Sequence, residues 1–354
     1  MPARPSSTFD LLTLALLPGV SPRASRVIAA RGLEEVLRAP DAHDDELGEE
    51  ARARIRNGEA RRRAEDELRK AQALGLRVVG RDEREFPLLL RRIYAPPLDL
   101  YVRGRLDGEE GERSVAVVGA RAATPAGRAL GRAMARALAA WGATIVSGLA
   151  RGIDTAAHEG ALDAAGRTVA VLGSGLDCLY PPENAGLARA IEDKGAVVSE
   201  FPLGTRALPH HFPRRNRVIA GWARGVVVVE AARRSGALNT AHTAVEEGRD
   251  VMAVPGHPSQ LACEGTNQLL REGAALVRDA RDVAFELGFG VAAQAPQATD
   301  DPVLGALRAD APLGLDDLRA RSGLETPELL ARLSQLELRE EVRRLPGALF
   351  VRHH

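Results

Sequence analysis

The feature that most constrains this chain is a pattern repeated between residues 114 and 274. Short runs of Val, Ile, Leu and Ala end in Gly, Pro or Ser, and segments with helical spacing separate them. Such runs are typical of strands buried on both faces of a parallel sheet. The predicted strands are 115–119, 144–148, 168–172, 196–199, 225–230, 251–254 and 275–277. The alternation predicts a doubly wound α/β sheet, whose ligands bind beyond the carboxyl ends of its strands.

The segment that precedes this region adds to the prediction. Apolar runs at 76–79 and 98–102 predict two more strands, so residues 75–288 are expected to form one extended Rossmann-like domain. Residues 1–74 are expected to form a helical domain in which Pro18-Gly19-Val20 joins two helical patterns. That turn is similar to those of SAM-like and helix-hairpin-helix modules, although a plain packing hairpin, which we favour, also explains it.

The C-terminal residues predict a second, smaller fold. Residues 289–300 have the composition of a linker. Residues 301–354 predict three helices and a strand pair around Pro346-Gly347, which is a winged-helix pattern. From Asp301 onward nine acids balance eight arginines, so a protein contact is at least as well supported for this domain as a DNA contact.

The charge of the chain is zero overall but unevenly distributed. Lys and Arg number 48 and Asp and Glu number 48, which by itself argues against a nucleic-acid partner. Residues 203–240, however, contain seven arginines and a single acid, Glu230. Locally concentrated positive charge attracts a polyanion even when the total is zero.

Composition also sets expectations for location. The two cysteines have no metal-ligand spacing and are too few to staple a chain of 354 residues. No apolar run is long enough to cross a bilayer, and no signal peptide is apparent. We therefore expect a protein of the reducing cytoplasm with no membrane association.

The glycines after the first strand do not predict a dinucleotide site. Gly119-Ala120-Arg121 has one glycine where the fingerprint needs three, and the second strand ends in Ser147-Gly148 without an acid for a ribose. There is no Walker A sequence, and the histidines lack HxH and HExxH spacing. We expect no cofactor, no metal and no catalytic residues. Asp154 and His158, four residues apart, are more simply explained by capping and packing.

Three places at predicted strand ends carry groups suited to phosphate. Arg121 follows the first strand, near the start of a helix. Residues 215–217 are Arg-Asn-Arg, and we expect Pro213 to give them an extended approach. Ser235-Gly236 stands where a helix begins, and the free amides of a helix start favour an anion.

Aromatic groups near these cations predict the kind of anion. The candidate stacking groups are Phe212, Tyr180 and His211. Several phosphate contacts beside stacking platforms suit a single-stranded nucleic acid better than a single nucleotide.

The motifs of the central region also match a known family in order along the chain. They are Val117-Val118-Gly119-Ala120-Arg121, Ser147-Gly148-Leu149-Ala150-Arg151-Gly152-Ile153-Asp154, Tyr180-Pro181-Pro182-Glu183-Asn184, Phe212-Pro213-Arg214-Arg215-Asn216-Arg217, Arg234-Ser235-Gly236 and Val254-Pro255-Gly256. In these motifs the chain resembles the DNA-processing protein A (DprA/Smf) family. Its flanking segments fit that family's SAM-like, extended Rossmann and winged-helix layout.

The resemblance implies a recombination mediator of natural transformation rather than an enzyme. Such proteins bind and protect incoming single-stranded DNA, form homodimers through the Rossmann-like domain and load the RecA recombinase onto the strand. The DNA-binding residues implied for this chain are Gly119, Arg121, Gly148, Phe212, Arg215, Asn216, Arg217, Ser235 and Gly236.

The chain departs from the family pattern at two places. Pro182 and Pro209 stand where many relatives carry a basic residue, so some phosphate contacts are expected either to be lost or to move to Arg206 and Arg214. Ala237 and Asn239 stand where we expect a serine and an aliphatic residue, which affects the pocket at the helix start.

A rival interpretation is a Rossmann-like nucleotide phosphoribohydrolase of the lysine-decarboxylase-like type. Those enzymes carry a Pro-Gly-Gly-x-Gly-Thr loop. Here the corresponding residues are Pro255-Gly256-His257, so the loop is absent.

Overall fold

The chain folds into two compact units, residues 1–290 and 291–354. The computed structural model describes residues 7–20, 27–28, 32–43, 45–108, 110–289, 301–307, 312–339, 341–345 and 347–352. Most of the predicted linker, part of the second arm of the predicted N-terminal hairpin, and Pro346 of the predicted wing lie outside these residues.

A nine-stranded sheet forms the centre of the first unit. Its strands are β1 (Arg77–Gly80), β2 (Asp99–Gly104), β3 (Ser114–Val118), β4 (Thr144–Ser147), β5 (Thr168–Val171), β6 (Ala196–Ser199), β7 (Gly225–Val228), β8 (Asp250–Ala253) and β9 (Ala275–Leu276). The strand order is β1-β2-β6-β5-β4-β3-β7-β8-β9. Strands β3 to β9 are parallel, whereas β2 is antiparallel to both β1 and β6. The predicted α/β class, with its two added strands, is confirmed.

Helices alternate with these strands. The helices whose bounds are described in the first unit are α1 (Thr8–Ala15), α2 (Leu33–Arg38), α3 (Glu49–Arg56), α4 (Glu59–Ala73), α5 (Leu88–Arg91), α6 (Pro125–Ala140), α7 (Ile153–Asp163), α8 (Ala185–Lys194), α9 (His211–Trp222), α10 (Gly236–Glu246), α11 (Glu264–Arg271) and α12 (Ala280–Glu286). Short 3-10 turns occur at Pro40–His43, Glu110–Arg113, Pro182–Asn184 and Leu261–Cys263. Helix α6 shows how the sequence sets a start, because the Thr124 hydroxyl accepts a hydrogen bond from the Gly127 amide and Pro125 is the first helical residue.

Aliphatic side chains fill both faces of the sheet. Alternate residues of β3 serve opposite layers, so Val115 and Val117 pack with α6 and α12 while Ala116 and Val118 pack with α9 and α10. Helices α1 and α4 share a further cluster with Tyr101 of β2. Residues of the predicted N-terminal domain thus pack directly on the part of the sheet to which β1 and β2 are added.

The structure corrects one local expectation, at Pro213. The segment predicted to be extended is the first turn of α9. Proline fits there because it is the third helical residue, and the first N–H groups of a helix have no acceptor within it. As a consequence, Phe212, Arg214, Arg215 and Arg217 are distributed around a helix rather than along a strand.

The second unit contains helices α13 (Pro302–Ala306), α14 (Leu315–Ser322) and α15 (Thr326–Leu338). Its three-stranded sheet has the order β10 (Leu313–Gly314), β12 (Leu349–Arg352), β11 (Val342–Leu345). Leu318, Leu333 and Phe350 lie in its core. The predicted winged helix is confirmed.

Candidate nucleic-acid interface

A pocket lies at the carboxyl ends of β3, β4 and β5, where the first turn of α9 meets them. It encloses about 360 Å³, part of it open to solvent. Its lining residues are Arg121, Gly148, Ala150, Arg151, Gly173, Tyr180, Pro181, Phe212 and Arg215. Four of the nine predicted binding residues, Arg121, Gly148, Phe212 and Arg215, are therefore brought together here.

Arg121 supplies an exposed positive charge to this pocket. Its guanidinium carbon lies 4.6 Å from the centroid of the Phe212 ring, and the Tyr180 ring lies 6.2 Å from that of Phe212. Among the described residues Arg121 forms no ion pair with a carboxylate. A cation on an aromatic face keeps its orientation without losing its charge, so this guanidinium is available to an anion.

Arg215 lies beneath the pocket and is only 4% exposed. Its Nη1 donates to the carbonyl oxygens of Gly148, at 2.6 Å, and Val171, at 2.7 Å. Burial, together with neighbouring Arg121, lowers the pKa of the Arg215 guanidinium to about 10, although Asp154 opposes the shift. Arg215 therefore joins the ends of β4 and β5 and adds positive potential from below.

Gly148 is required by this packing. A Cβ at that position would overlap the Arg215 guanidinium. The Gly148 amide donates to Asp154 at 3.2 Å, and burial raises the pKa of the Asp154 carboxyl despite the nearby Arg215. His158 is fully buried, bonded through Nδ1 to Thr168, and burial lowers its pKa to about 3. Asp154 thus supports the pocket floor from inside, whereas His158 is bonded to the first residue of β5, at the amino end of that strand.

Asn216 connects the pocket floor to the start of α10. Its side-chain oxygen accepts a hydrogen bond from Arg215 Nε at 3.1 Å, and its amide donates to the Gly236 carbonyl at 3.3 Å. Ser235 caps α10 by accepting from the Ala237 amide at 3.3 Å, and Gly236 is exposed. Ser235 and Gly236 do not line the pocket but are coupled to it through Asn216.

Arg217 is not brought to the pocket. It donates to the Ala95 carbonyl and to Glu200, and its side chain is 15% exposed. Glu200 also accepts from Arg214 Nε at 2.5 Å. Residues three apart share a helix face, so Phe212 and Arg215 turn to the pocket while Arg214 and Arg217 turn to Glu200.

Gly119 acts through backbone packing. A Cβ there would overlap Ile153 and the Glu230 carbonyl, so glycine lets the loop that carries Arg121 lie close to both. Like Ser235 and Gly236, it does not line the pocket.

Sequence reasoning did not include several lining residues. Arg151, the most important of them, is exposed and pairs with Glu183, which raises the pKa of the Arg151 guanidinium. A cation shortly after a strand end was the available signal, since Arg151 follows β4 as Arg121 follows β3. Tyr180, predicted only as a stacking group, lines the pocket and is 42% exposed.

The remaining arginines of the basic segment stay exposed. Of the seven, Arg215 is buried and two are bound to Glu200. The other four form no ion pair within the described residues; they are Arg206, Arg224, Arg233 and Arg234. Arg224 immediately precedes β7 and therefore lies at the opposite, amino edge of the sheet.

The described residues contain no candidate metal site and no candidate membrane-spanning helix. No group of three or more His, Cys, Asp and Glu side chains there could hold a metal ion. None of the described helices combines the length and the apolar character that crossing a bilayer requires.

Comparison with known proteins gives concordant matches. Residues 77–288 match the family model described as DNA recombination-mediator protein A, and residues 290–348 match the DprA winged helix domain. Protein Smf of Escherichia coli is 40% identical over 280 residues, which cover 75% of each chain.

Two solved structures are also similar. The X-ray structure of DNA processing protein A from Streptococcus pneumoniae matches with a TM-score of 0.63 and 35% identity, over 80% of this chain and 99% of that chain. DNA processing protein A from Helicobacter pylori, described for its unique single-stranded DNA binding mode, matches with a TM-score of 0.54 and 27% identity, over 60% and 95% of the two chains.

Proposed function

The chain belongs to the DNA recombination-mediator protein A family, and we propose that it is a single-stranded DNA-binding mediator of natural transformation. In this proposal it protects incoming single-stranded DNA and loads the RecA recombinase onto it. It acts in the cytoplasm as a homodimer formed through the Rossmann-like domain, and it catalyses no reaction of its own.

The observation that carries the proposal is the Arg121 guanidinium over Phe212, with which no carboxylate in the described part of the chain forms an ion pair. A DNA backbone offers phosphates, and an unpaired strand also offers base faces. The pocket supplies a cation for the first and exposed Tyr180, beside Phe212, for the second. A duplex hides its base faces, so these groups favour a single strand.

The surroundings of the pocket favour a polymer over a mononucleotide. Arg206, Arg233 and Arg234 are exposed on the loops before α9 and before α10. Each phosphate that an arginine neutralises releases counterions, and a chain of phosphates can engage several such cations at once.

The proposal is tested by titrating fluorescent oligo-dT and a matched duplex at several salt concentrations. We expect tight, salt-sensitive binding of oligo-dT and weaker binding of the duplex. Arg121→Ala should weaken oligo-dT binding, while Arg224→Ala, which removes an exposed arginine from the amino edge, should leave it unchanged. Equal loss in both variants would argue for non-specific attraction and against this pocket.

The mediator role needs its own assay. RecA filament formation on oligonucleotides coated with single-strand binding protein should be faster with the wild type than with Arg121→Ala. Sedimentation should show a dimer both for the wild type and for a variant that lacks residues 301–354. Failure of the RecA assay alone would limit the protein to binding and protecting DNA.

The rival hydrolase function is tested by incubation with nucleoside monophosphates. The residues that line the described pocket include no carboxylate and no imidazole, and Asp154 and His158 are buried outside that lining. We expect no release of free base. Release at enzymatic rates would contradict the binding-protein proposal.

A further inference from the structure

Glu230 follows β7, and its carboxylate lies against the first turn of α6. It is 3% exposed. Its Oε2 accepts hydrogen bonds from the Thr124 amide, at 3.0 Å, and from the Thr124 hydroxyl, at 3.2 Å. Its backbone carbonyl accepts from the Ala120 amide at 2.7 Å. One residue therefore holds both ends of the loop that carries Arg121.

The first turn of α6 is built around this carboxylate. A Cβ on Gly127 would overlap Glu230 Oε2, so the glycine leaves room for it. The other carboxylate oxygen, Oε1, is buried and has no hydrogen-bond partner within the described part of the chain. An unpartnered buried oxygen is costly, which indicates that a general need for packing does not account for an acid at this position.

The location is the one where this type of sheet binds phosphates. Strands β3 and β7 are neighbours, and the chain leaves them toward opposite sides of the sheet, which makes their carboxyl ends the topological switch point. A helix that starts there presents free N–H groups and the positive end of its dipole to an anion. In this chain the anion is part of the protein.

We propose that Glu230 is an internal anion that occupies the phosphate position of the fold and thereby positions Arg121. This inference rests on the proposed function, because Arg121 is the cation assigned to the DNA backbone. With the position filled, a mononucleotide phosphate cannot dock at α6. The loop from Ala120 to Thr124 is instead held with Arg121 directed over Phe212. There the guanidinium can contact the backbone of a single DNA strand that crosses the pocket.

The experiment compares Glu230→Ala and Glu230→Gln with a matched control, Asp279→Ala. Asp279 is also a carboxylate at a helix start, where it accepts from the Arg281 amide at 2.8 Å, but α12 carries no pocket residue. Oligo-dT affinity and thermal stability are measured for each protein, with sodium formate replacing sodium chloride at constant ionic strength. Inorganic phosphate is then added as a second probe of the vacated position.

We expect Glu230→Ala to lose roughly tenfold in oligo-dT affinity, as for the loss of a charged hydrogen-bonding group, and Glu230→Gln to lose less because its amide oxygen still accepts. Formate should restore Glu230→Ala toward wild type and leave the wild type and Asp279→Ala unchanged. Phosphate should raise the melting temperature of Glu230→Ala more than that of the wild type or of Asp279→Ala. Asp279→Ala should bind oligo-dT like the wild type.

Three results would overturn the inference: a folded Glu230→Ala that binds oligo-dT like wild type, a loss that formate does not reverse, or an equal loss in Asp279→Ala. If Glu230→Ala does not fold, Gly127→Ala displaces the same carboxylate without removing it and must weaken oligo-dT binding. If the wild type itself does not bind oligo-dT, the proposed function fails, while formate and phosphate stabilisation of Glu230→Ala still decides whether the internal anion exists.

Discussion

The two faces of helix α9 use the same residue type in opposite ways. On one face Phe212 and Arg215 turn toward the pocket, where Arg121 has no carboxylate partner among the described residues. On the other face Arg214 and Arg217 share Glu200, whose side chain is 4% exposed. All four arginines were candidates for phosphate contact from the sequence. We therefore expect a neighbouring carboxylate, more than the density of arginines, to determine which of these cations binds a polyanion.

The same contrast appears in the buried charges. Beneath the pocket a buried arginine binds backbone carbonyls, and its positive charge is opposed only in part by Asp154. Near Glu200 lie two further buried acids, Asp99 and Glu67, and both Glu200 and Glu67 are close enough to Asp99 to raise the pKa of its carboxyl. One side of α9 therefore carries a buried positive charge that favours an anion. The other side already contains the carboxyl groups of Asp99, Glu67 and Glu200.

The largest effect is expected for Arg215→Met, which keeps the volume and removes the charge. The carbonyls of Gly148 and Val171 would lose their donor in a buried site, so we expect a loss of about 5 kcal/mol in the free energy of unfolding. Urea denaturation measures this loss, and oligo-dT titration under folding conditions should show weaker binding as well. If Arg215→Met has the same free energy of unfolding as Arg121→Ala, the packing of α9 against the pocket does not depend on the buried Arg215 guanidinium.

The second prediction concerns pH and the acidic side of α9. Burial, with Glu200 and Glu67 nearby, raises the pKa of the Asp99 carboxyl from 3.8 to about 7, although Arg214 opposes the shift. The folded protein therefore holds a proton that the unfolded chain releases. The resulting stability is complete below about pH 3.8 and is lost as the pH rises through about 7.

Asp99→Asn removes this dependence, because the amide stays neutral. We expect wild type and variant to be equally stable near pH 4, and the variant to be more stable above pH 7 by up to about 4 kcal/mol. Urea midpoints across this pH range provide the measurement. If the urea midpoints of the two proteins change with pH in parallel, the raised pKa of the Asp99 carboxyl is contradicted.

Several parts of the fold and the site could be predicted from the sequence. The aliphatic runs identified all seven parallel strands to within one or two residues at each end, because strands buried on both faces require such runs. Arg121 and Gly148 could be placed at strand ends for the same reason. The carboxyl ends of parallel strands lie at the same edge of the sheet, independently of the conformation of the loops that follow.

What could not be predicted was the orientation of individual side chains. The segment around Pro213 carries no signal that separates an extended approach from a first helical turn, and that choice determines which of Arg214, Arg215 and Arg217 meets the pocket. Glu200 and Glu230 follow strands as ordinary acids do, and only the packing of distant segments reveals that one holds arginines and the other fills a helix start. Partners far apart in sequence leave no local pattern.

The third prediction separates the pocket cation from general attraction. Arg121→Ala should leave the free energy of unfolding within about 0.5 kcal/mol of wild type, since the side chain is exposed. Oligo-dT affinity should fall roughly tenfold, and the slope of log affinity against log salt should decrease by about 0.7, as for one lost phosphate contact. Arg224→Ala is the control, and an unchanged slope in Arg121→Ala would remove Arg121 from the interface.

The smallest effect is expected for Arg214→Ala, which tests the other side of α9 directly. Arg214 is exposed and lies near the pocket in sequence, so proximity and charge alone predict the same loss as for Arg121→Ala. Its bond to Glu200 changes this expectation, because a charge that already faces a carboxylate releases fewer counterions when a phosphate arrives. Glu200 also keeps its ion pair with Arg217 after the substitution.

We therefore expect oligo-dT affinity within about twofold of wild type for Arg214→Ala, and a change in salt slope well below the roughly 0.7 of a full phosphate contact. Titrations of Arg121→Ala, Arg214→Ala and the double variant at the same salt concentrations provide the comparison. If Arg214→Ala matches Arg121→Ala, the pairing with Glu200 does not withhold a cation from DNA and the two faces of α9 are equivalent. If the double variant loses no more oligo-dT affinity than Arg121→Ala, Arg214 lies outside the DNA interface because it is paired with Glu200.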